Sequence, residues 1–292
     1  MHGGAGGRGG GPARRMGRAR LEPPAMRRRL ARLGASFAAA LAASGAQAAD
    51  RAPWPDAANT GPPPGLALKP SGELIVTEPG AVISGLDIRG MVTVKAPNIT
   101  IVNCRIAAAR FSVAQIPADV TGTTVKTSEI DGVGHDNAGS NGINGQGTFV
   151  GNNIHHVENG VNVTGPSLIR DNYIHDLRAS GTPHYDGIQI DGGHDVAILH
   201  NTIINDHAQT SAVMIDNYFS PVSNIRVDGN VLMGGGYTVY SSDGFKNGPV
   251  SGVSFTNNRM GTGHWGYRSI EGNTPEWRGN VDVRTGADLG AR

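Results

Sequence analysis

An all-β, single-stranded right-handed parallel β-helix of roughly eight to nine coils is predicted by three observations in the sequence. Glycine supplies 44 of the 292 residues, while Phe and Trp supply only six and three, too few large side chains for a bulky globular core. A short segment closing on an apolar residue recurs along the chain. Two places before that close, each copy carries a polar or small residue, and in most copies it is asparagine.

The repeat is read from ITIVNCRI (99–106), TTVKTSEI (123–130), TFVGNNI (148–154), SLIRDNYI (167–174), VAILHNTI (196–203), IRVDGNVL (225–232) and VSFTNNRM (253–260). The column runs Cys104, Ser128, Asn152, Asn172, Asn201, Asn230 and Asn258, with Leu86 as an earlier member and Asn280 as a later one. Its spacings vary from 18 to 29 residues, the period of a solenoid whose turns admit loops while its strands stay in register. Asparagines stacked at one turn can bond each other's amides and satisfy backbone groups that would otherwise be buried unpaired. An asparagine ladder is therefore expected.

Ahead of the repeats lie three segments. Residues 1–25 are rich in Gly, Arg and Pro and read as a disordered or over-extended N-terminal stretch. Residues 26–48 combine Arg27, Arg28, Arg29 and Arg32 with an apolar run and a small-x-small site at Ala46-Gln47-Ala48, the pattern of a signal peptide. Its apolar run is short of the roughly 20 residues needed to span a bilayer, so no stable membrane anchor is expected. Residues 49–75 are assigned to an N-terminal cap, with Pro53 to Pro70 covering the sheet edges, and 76–292 to the β-helix. Beyond Ala48 the chain holds 16 basic and 23 acidic residues, a net of about −7, which argues against nucleic-acid binding. With Cys104 as the only cysteine, no intramolecular disulfide can form.

The cap segment WPDAANTGPPPG (54–65), the laddered repeats and HYDGIQ (184–189) resemble the secreted bacterial right-handed β-helix repeat proteins of the pectate-lyase-like superfamily, over Pro53 to Gly290. That superfamily includes polysaccharide lyases, uronan epimerases and glycoside hydrolases. The resemblance implies a carbohydrate-active protein that is secreted, extracellular or periplasmic, without fixing the reaction.

A second column supplies candidate site residues. In NGIN (141–144), NGVN (159–162), DGIQID (186–191), SAVMID (211–216), YTVYSS (237–242) and GYRS (266–269), inward Ile143, Val161, Ile188, Val213 and Val239 would send Asn144, Asn162, Gln189, Met214, Tyr240 and Arg268 outward. Asp191 and Asp216 fall two residues further along the outward rows. The centre is expected around His184, Asp186, Gln189, Asp191, Asp216 and Tyr240, with His184, Asp186 and Tyr240 as catalytic groups. Asn162, Gln189, Arg268 and Lys246 would bind substrate. Period-two alternation puts polar side chains outward on any solvated strand, and the competing reading has Asp186 cap the turn before Gly187.

Two chemistries fit these groups. A lyase or epimerase would use His184 and Tyr240 as base and acid, Gln189 and Arg268 on the uronate carboxylate, and Asp191 with Asp216 as oxygen ligands for Ca2+. A hydrolase would use two carboxyls from Asp186, Asp191 and Asp216, one protonated and one ionised. Neither the calcium-dependent pectate lyase pattern nor the acidic set of polygalacturonases is present, which puts pectin in doubt. His155, His156, His175, His200 and His207 fall near the ladder turns at no helical metal-binding spacing, and are expected to bond backbone. A non-catalytic glycan-binding or adhesive β-helix is the remaining class. No further cofactor is expected, and the chain is expected to act as a diffusible monomer on a polysaccharide.

Overall fold

The computed structural model describes residues 53–290; the N-terminal stretch, the signal-peptide segment and the start of the cap segment, Ala49 to Ala52, lie outside the described residues. Twenty-four strands and no helix make up the described chain, and nearly all pairings are parallel between successive coils. The protein is a right-handed parallel β-helix with an asparagine ladder. Each coil contributes up to three strands, so the cross-section has three sheets.

Three stacks of inward side chains fill it, one per sheet. The first sheet stacks Ala114, Ile143, Val161, Ile188, Val213 and Val239. On the second stand Ile101, Val125, Phe149, Ile169, Ile198, Val227, Phe255 and Trp277. The third runs Ile88, Ile106, Ile130, Ile154, Ile174, Ile203, Leu232 and Met260. Apart from Trp277, every member is fully or almost fully excluded from solvent. β-branched side chains suit such stacks, since their fixed χ1 lets one coil seat on the next.

The turn between the second and third sheets carries the ladder. The residue just before each ladder position takes a left-handed backbone: Asn103, Thr127, Asp171, His200 and Asn257 have φ of 44–57°, a cost that Asn and Asp tolerate best. Glycine stands there at 151, 229 and 279. That reversal turns the next side chain inward. Asn152, Asn172, Asn201, Asn230 and Asn258 then each donate from Nδ2 to the Oδ1 of the next member at 2.9–3.0 Å. The same Nδ2 groups donate to a strand carbonyl of the preceding coil at 2.9–3.0 Å. At the N-terminal end the ladder thins, where Ser128 Oγ accepts only the Cys104 N–H.

Two ends depart from the sequence expectation. The strand Lys69–Val76 already pairs with Leu86–Val94, so the solenoid begins inside the segment assigned to the cap. The Pro-rich stretch makes contacts on the flank: Trp54 stacks on the His200 ring at 4.8 Å, and the Gly61 N–H donates to the Gly151 carbonyl. At the other end the chain turns back in an antiparallel bridge, Val281 to Asp288.

The glycine of each NG or DG pair marks a close approach. A Cβ on Gly187 would stand 2.2 Å from Ile203 Cγ2 and 2.5 Å from the Ala212 carbonyl oxygen, with backbone on one side and core on the other. Gly187→Ala is expected to cost about 1–3 kcal/mol by overpacking, read as a lower urea midpoint. An unchanged midpoint would mean that the coils can separate without penalty.

Candidate functional site

The outward face of the first sheet presents a polar row that starts as an amide chain. Asn162 Nδ2 donates to Asn144 Oδ1 at 3.1 Å, and Asn144 Nδ2 to Gln115 Oε1 at 3.0 Å. Gln189 occupies the next coil in register with Asn162, followed by Met214. Asn162 and Gln189 thus lie on the expected face.

Two residues further along the strands the row becomes acidic. Asp191 and Asp216 follow the paired Ile190 and Ile215, and Asp216 bridges to Ser242, which pairs with Glu271. Asp216 is only 8% exposed, with Oδ1 accepting the Tyr218 N–H at 2.9 Å. Its carboxyl is pushed up from the ordinary carboxylate range by burial, partly offset by that bond. Asp191 is raised to about 6, first by burial and then by repulsion from Asp216, with the Gln189 side chain offsetting part of it. Its Oδ1 is buried with no hydrogen-bond partner among the described residues. Two carboxyls on adjacent coils thus share a site that holds a proton well above the usual carboxylate pH.

This shift has a stability consequence whose sign is opposite to that of a salt-bridged acid. The folded state binds the Asp191 proton more tightly than the unfolded chain does, so stability falls as pH rises from about 4 to about 6 and stays lower above. Asp191→Asn is expected to raise the melting temperature at pH 8 and to leave it unraised at pH 3.5. A gain of equal size at both pH values would sink this assignment.

Asp186 sits elsewhere than expected. Its carboxyl is 2% exposed and accepts from Ser211 N at 3.1 Å and Ser211 Oγ at 2.8 Å, while its own N–H donates to Asn159 Oδ1 at 3.3 Å. Asn159 in turn donates to Asn141 Oδ1 at 3.2 Å. Asp186 is therefore one member of a second, shorter internal ladder opening the first-sheet strands. Burial pushes its carboxyl well above the ordinary range, partly offset by the two bonds from Ser211.

The remaining expected residues are dispersed. His184 is exposed on the loop before the strand Asp186–Ile190; its backbone is tied to Glu158 and Thr210, while its imidazole makes no hydrogen bond, ion pair or ring contact among the described residues. Lys246 is exposed in the loop after the strand Tyr237–Ser242, at φ 59°. Tyr240 does lie on the outward face, its ring edge-on to Tyr237 at 5.5 Å. Its hydroxyl is raised by burial, partly offset by a hydrogen bond with the Tyr237 backbone. Arg268 is a correction: it pairs with Val239, and Ser269 with Tyr240, so Arg268 ends the inward stack. There its guanidinium lies 4.3 Å from the centroid of the Trp277 ring, since among the described residues no further strand pairs above that position and an Arg face can close it.

Sequence reasoning missed two features beside the acidic row. Exposed aromatic rings follow it, with Phe219 and Phe245 edge-on to Tyr218 at 4.7 and 4.9 Å; at the opposite end of the strand Tyr237–Ser242, exposed Trp265 lies next to Tyr237. On the third sheet, the histidines bond carboxylates more than backbone. His175 and His200 contact Asp176 and Asp171 at 2.7 Å, and only His207 bonds a carbonyl, that of Leu177. No family model, characterised protein or solved structure matches the chain. The parallel β-helix is an architecture compatible with carbohydrate-active proteins.

Proposed function

We propose that the protein is a carbohydrate-active enzyme that cleaves a polysaccharide by general acid–base chemistry centred on Asp191 and Asp216. The observation that carries this reading is the Asp191 carboxyl, raised to about 6 beside a second buried acid on the next coil. A glycosidase needs one carboxyl protonated and one ionised at the same pH. Coils about 4.8 Å apart suit the close carboxyl pair of a retaining mechanism, about 5–5.5 Å apart. In this scheme ionised Asp216 attacks the sugar carbon as Asp191 delivers its proton to the glycosidic oxygen, the C–O bond breaks and the leaving sugar departs as an alcohol. Water, deprotonated by Asp191, then hydrolyses the glycosyl–Asp216 ester. The Gln189 side chain beside Asp191 offsets part of its raised carboxyl, and the exposed rings of Tyr218 and Phe219 offer flat apolar faces to sugar rings.

β-Elimination or epimerisation is the second reading, favoured by Tyr240 on the same face. It lacks an assembled base and carboxylate clamp, because among the described residues the His184 imidazole has no polar or ring partner and Arg268 packs on Trp277 at the end of the inward stack. It would rely on Asp191 and Asp216 as oxygen ligands for Ca2+. The test is incubation of the protein with uronate-containing and neutral polysaccharides, with and without Ca2+, following reducing ends and the ultraviolet absorbance of an unsaturated product. New reducing ends without that absorbance support the paired-carboxyl reading. Calcium-dependent absorbance replaces it with elimination, and silence across the panel leaves glycan binding without catalysis.

A further inference from the structure

Away from the acidic row, on the third sheet, three potential ligand atoms converge. His155 Nδ1 lies 3.0 Å from His156 Nδ1, which lies 3.1 Å from Asp131 Oδ1, and the third side, His155 Nδ1 to Asp131 Oδ1, is 3.6 Å. A circle through these atoms has a radius of about 1.9 Å, so an ion about 2.0–2.1 Å from each would sit less than about 1 Å out of their plane. We infer that Asp131, His155 and His156 form a binding site for a divalent transition ion of the zinc class, with a coordination position left open to an exogenous ligand.

The backbone builds this site rather than chance rotamers. Asp131 and His155 face each other in register on adjacent coils, each one residue past an inward isoleucine. Period-two alternation would send His156 to the opposite side. Its φ of 56° breaks that alternation and brings its ring edge-on to His155 at 4.5 Å between centroids. The reversal is held from below, where the Gly132 and Gly134 N–H groups donate to the His155 and His156 carbonyls. Gly132 is needed for the approach, since a Cβ there would lie 2.3 Å from the His156 carbonyl oxygen.

The surrounding groups fit an imidazole–carboxylate metal centre. His155 Nε2 faces Glu129 Oε1 at 3.4 Å. A carboxylate only accepts, so this contact favours the Nε2–H tautomer and leaves the Nδ1 lone pair for a metal. Arg105 lies 3.4 Å from Glu129 and 3.9 Å from the second Asp131 oxygen, so two carboxylates against one guanidinium leave net negative charge for a cation. The side chains of His155 and Asp131 are 11% and 14% exposed, that of His156 38%, so access is from the His156 side. His156 also lines an open cleft of about 430 Å³ with Asp176, Leu177, Arg178, Asp206 and His207. Two imidazoles and one carboxylate with an open position suit Zn2+ and its first-row neighbours, not Ca2+.

The test is titration of chelator-treated full-length protein with Zn2+ by calorimetry, and with Co2+ by visible absorption. One ion per chain is expected, with the intense d–d bands of a low-coordinate Co2+ site. His156→Asn keeps a residue that tolerates the left-handed backbone, and Asp131→Asn keeps the oxygen that accepts the Val133 N–H. Each is expected to weaken Zn2+ binding by at least about a hundredfold while far-ultraviolet circular dichroism stays unchanged, and Glu129→Gln by about 10–100-fold. No stoichiometric uptake, or uptake indifferent to His156→Asn, would overturn the assignment.

Discussion

Asn201→Ala is expected to cost the fold about 3–5 kcal/mol, more than any single surface change in the molecule. Asn201 is fully buried and its side chain makes five hydrogen bonds. Its Oδ1 accepts the Asn172 N–H and Nδ2 at 2.9 Å each, and its Nδ2 reaches Ile169, Leu199 and Asn230. Alanine leaves the Asn172 N–H buried without that acceptor, a desolvation penalty of about 1–3 kcal/mol by itself, and breaks the chain between its upper and lower halves. Serine already serves at position 128, where its Oγ accepts the Cys104 N–H at 3.1 Å. Asn201→Ser is therefore expected to fall between parent and Asn201→Ala, and Ser128→Ala, at the thin end, to cost less than either. Urea unfolding of the three variants checks the order. Equal, small losses at positions 201 and 128 would show that side-chain stacking, and not the amide chain, holds the turns.

The ladder was legible because one residue type recurs at one register, and the inward Ile143, Val161, Ile188, Val213 and Val239 column because aliphatic residues mark it coil by coil. Where the chemistry of a position changes, the reading slips. Arg268 is aligned with Tyr240 because arginine belongs outside, yet it pairs with Val239, and among the described residues no strand stacks above it, so that position accepts a cation stacked on Trp277. Asp186 reads as a catalytic group from the sequence, although the first residues of NGIN, NGVN, DGIQ and SAVM already spell the second ladder, Asn141, Asn159, Asp186 and Ser211. The Asp131, His155 and His156 cluster follows no local motif. Its members come from two coils, and the two histidines share a side only because a left-handed backbone at His156 suspends the alternation. A pattern of periods cannot register a dihedral that breaks the period.

For the proposed chemistry, Asp191→Asn and Asp216→Asn are each expected to lower kcat/KM on the cleaved polysaccharide by about 10³-fold, within the 10²–10⁴ range of a lost acid or base. The two variants remove parts of one proton-sharing unit, so the double variant is expected to lose little more than either single one. The pH profile carries a second expectation. Asp191 must be protonated to act as acid, and its carboxyl is raised to about 6, so the rate is expected to fall as pH rises past about 6. Asp216 must be ionised, so the rate is also expected to fall toward lower pH, giving an optimum on the acidic side of neutrality. Tyr240→Phe separates the two readings. With paired carboxyls it changes kcat/KM far less than either aspartate variant, because the hydroxyl only lines the site. In an elimination that uses Tyr240 for proton transfer it is as damaging as they are, and the alkaline fall of the rate then does not follow the Asp191 carboxyl.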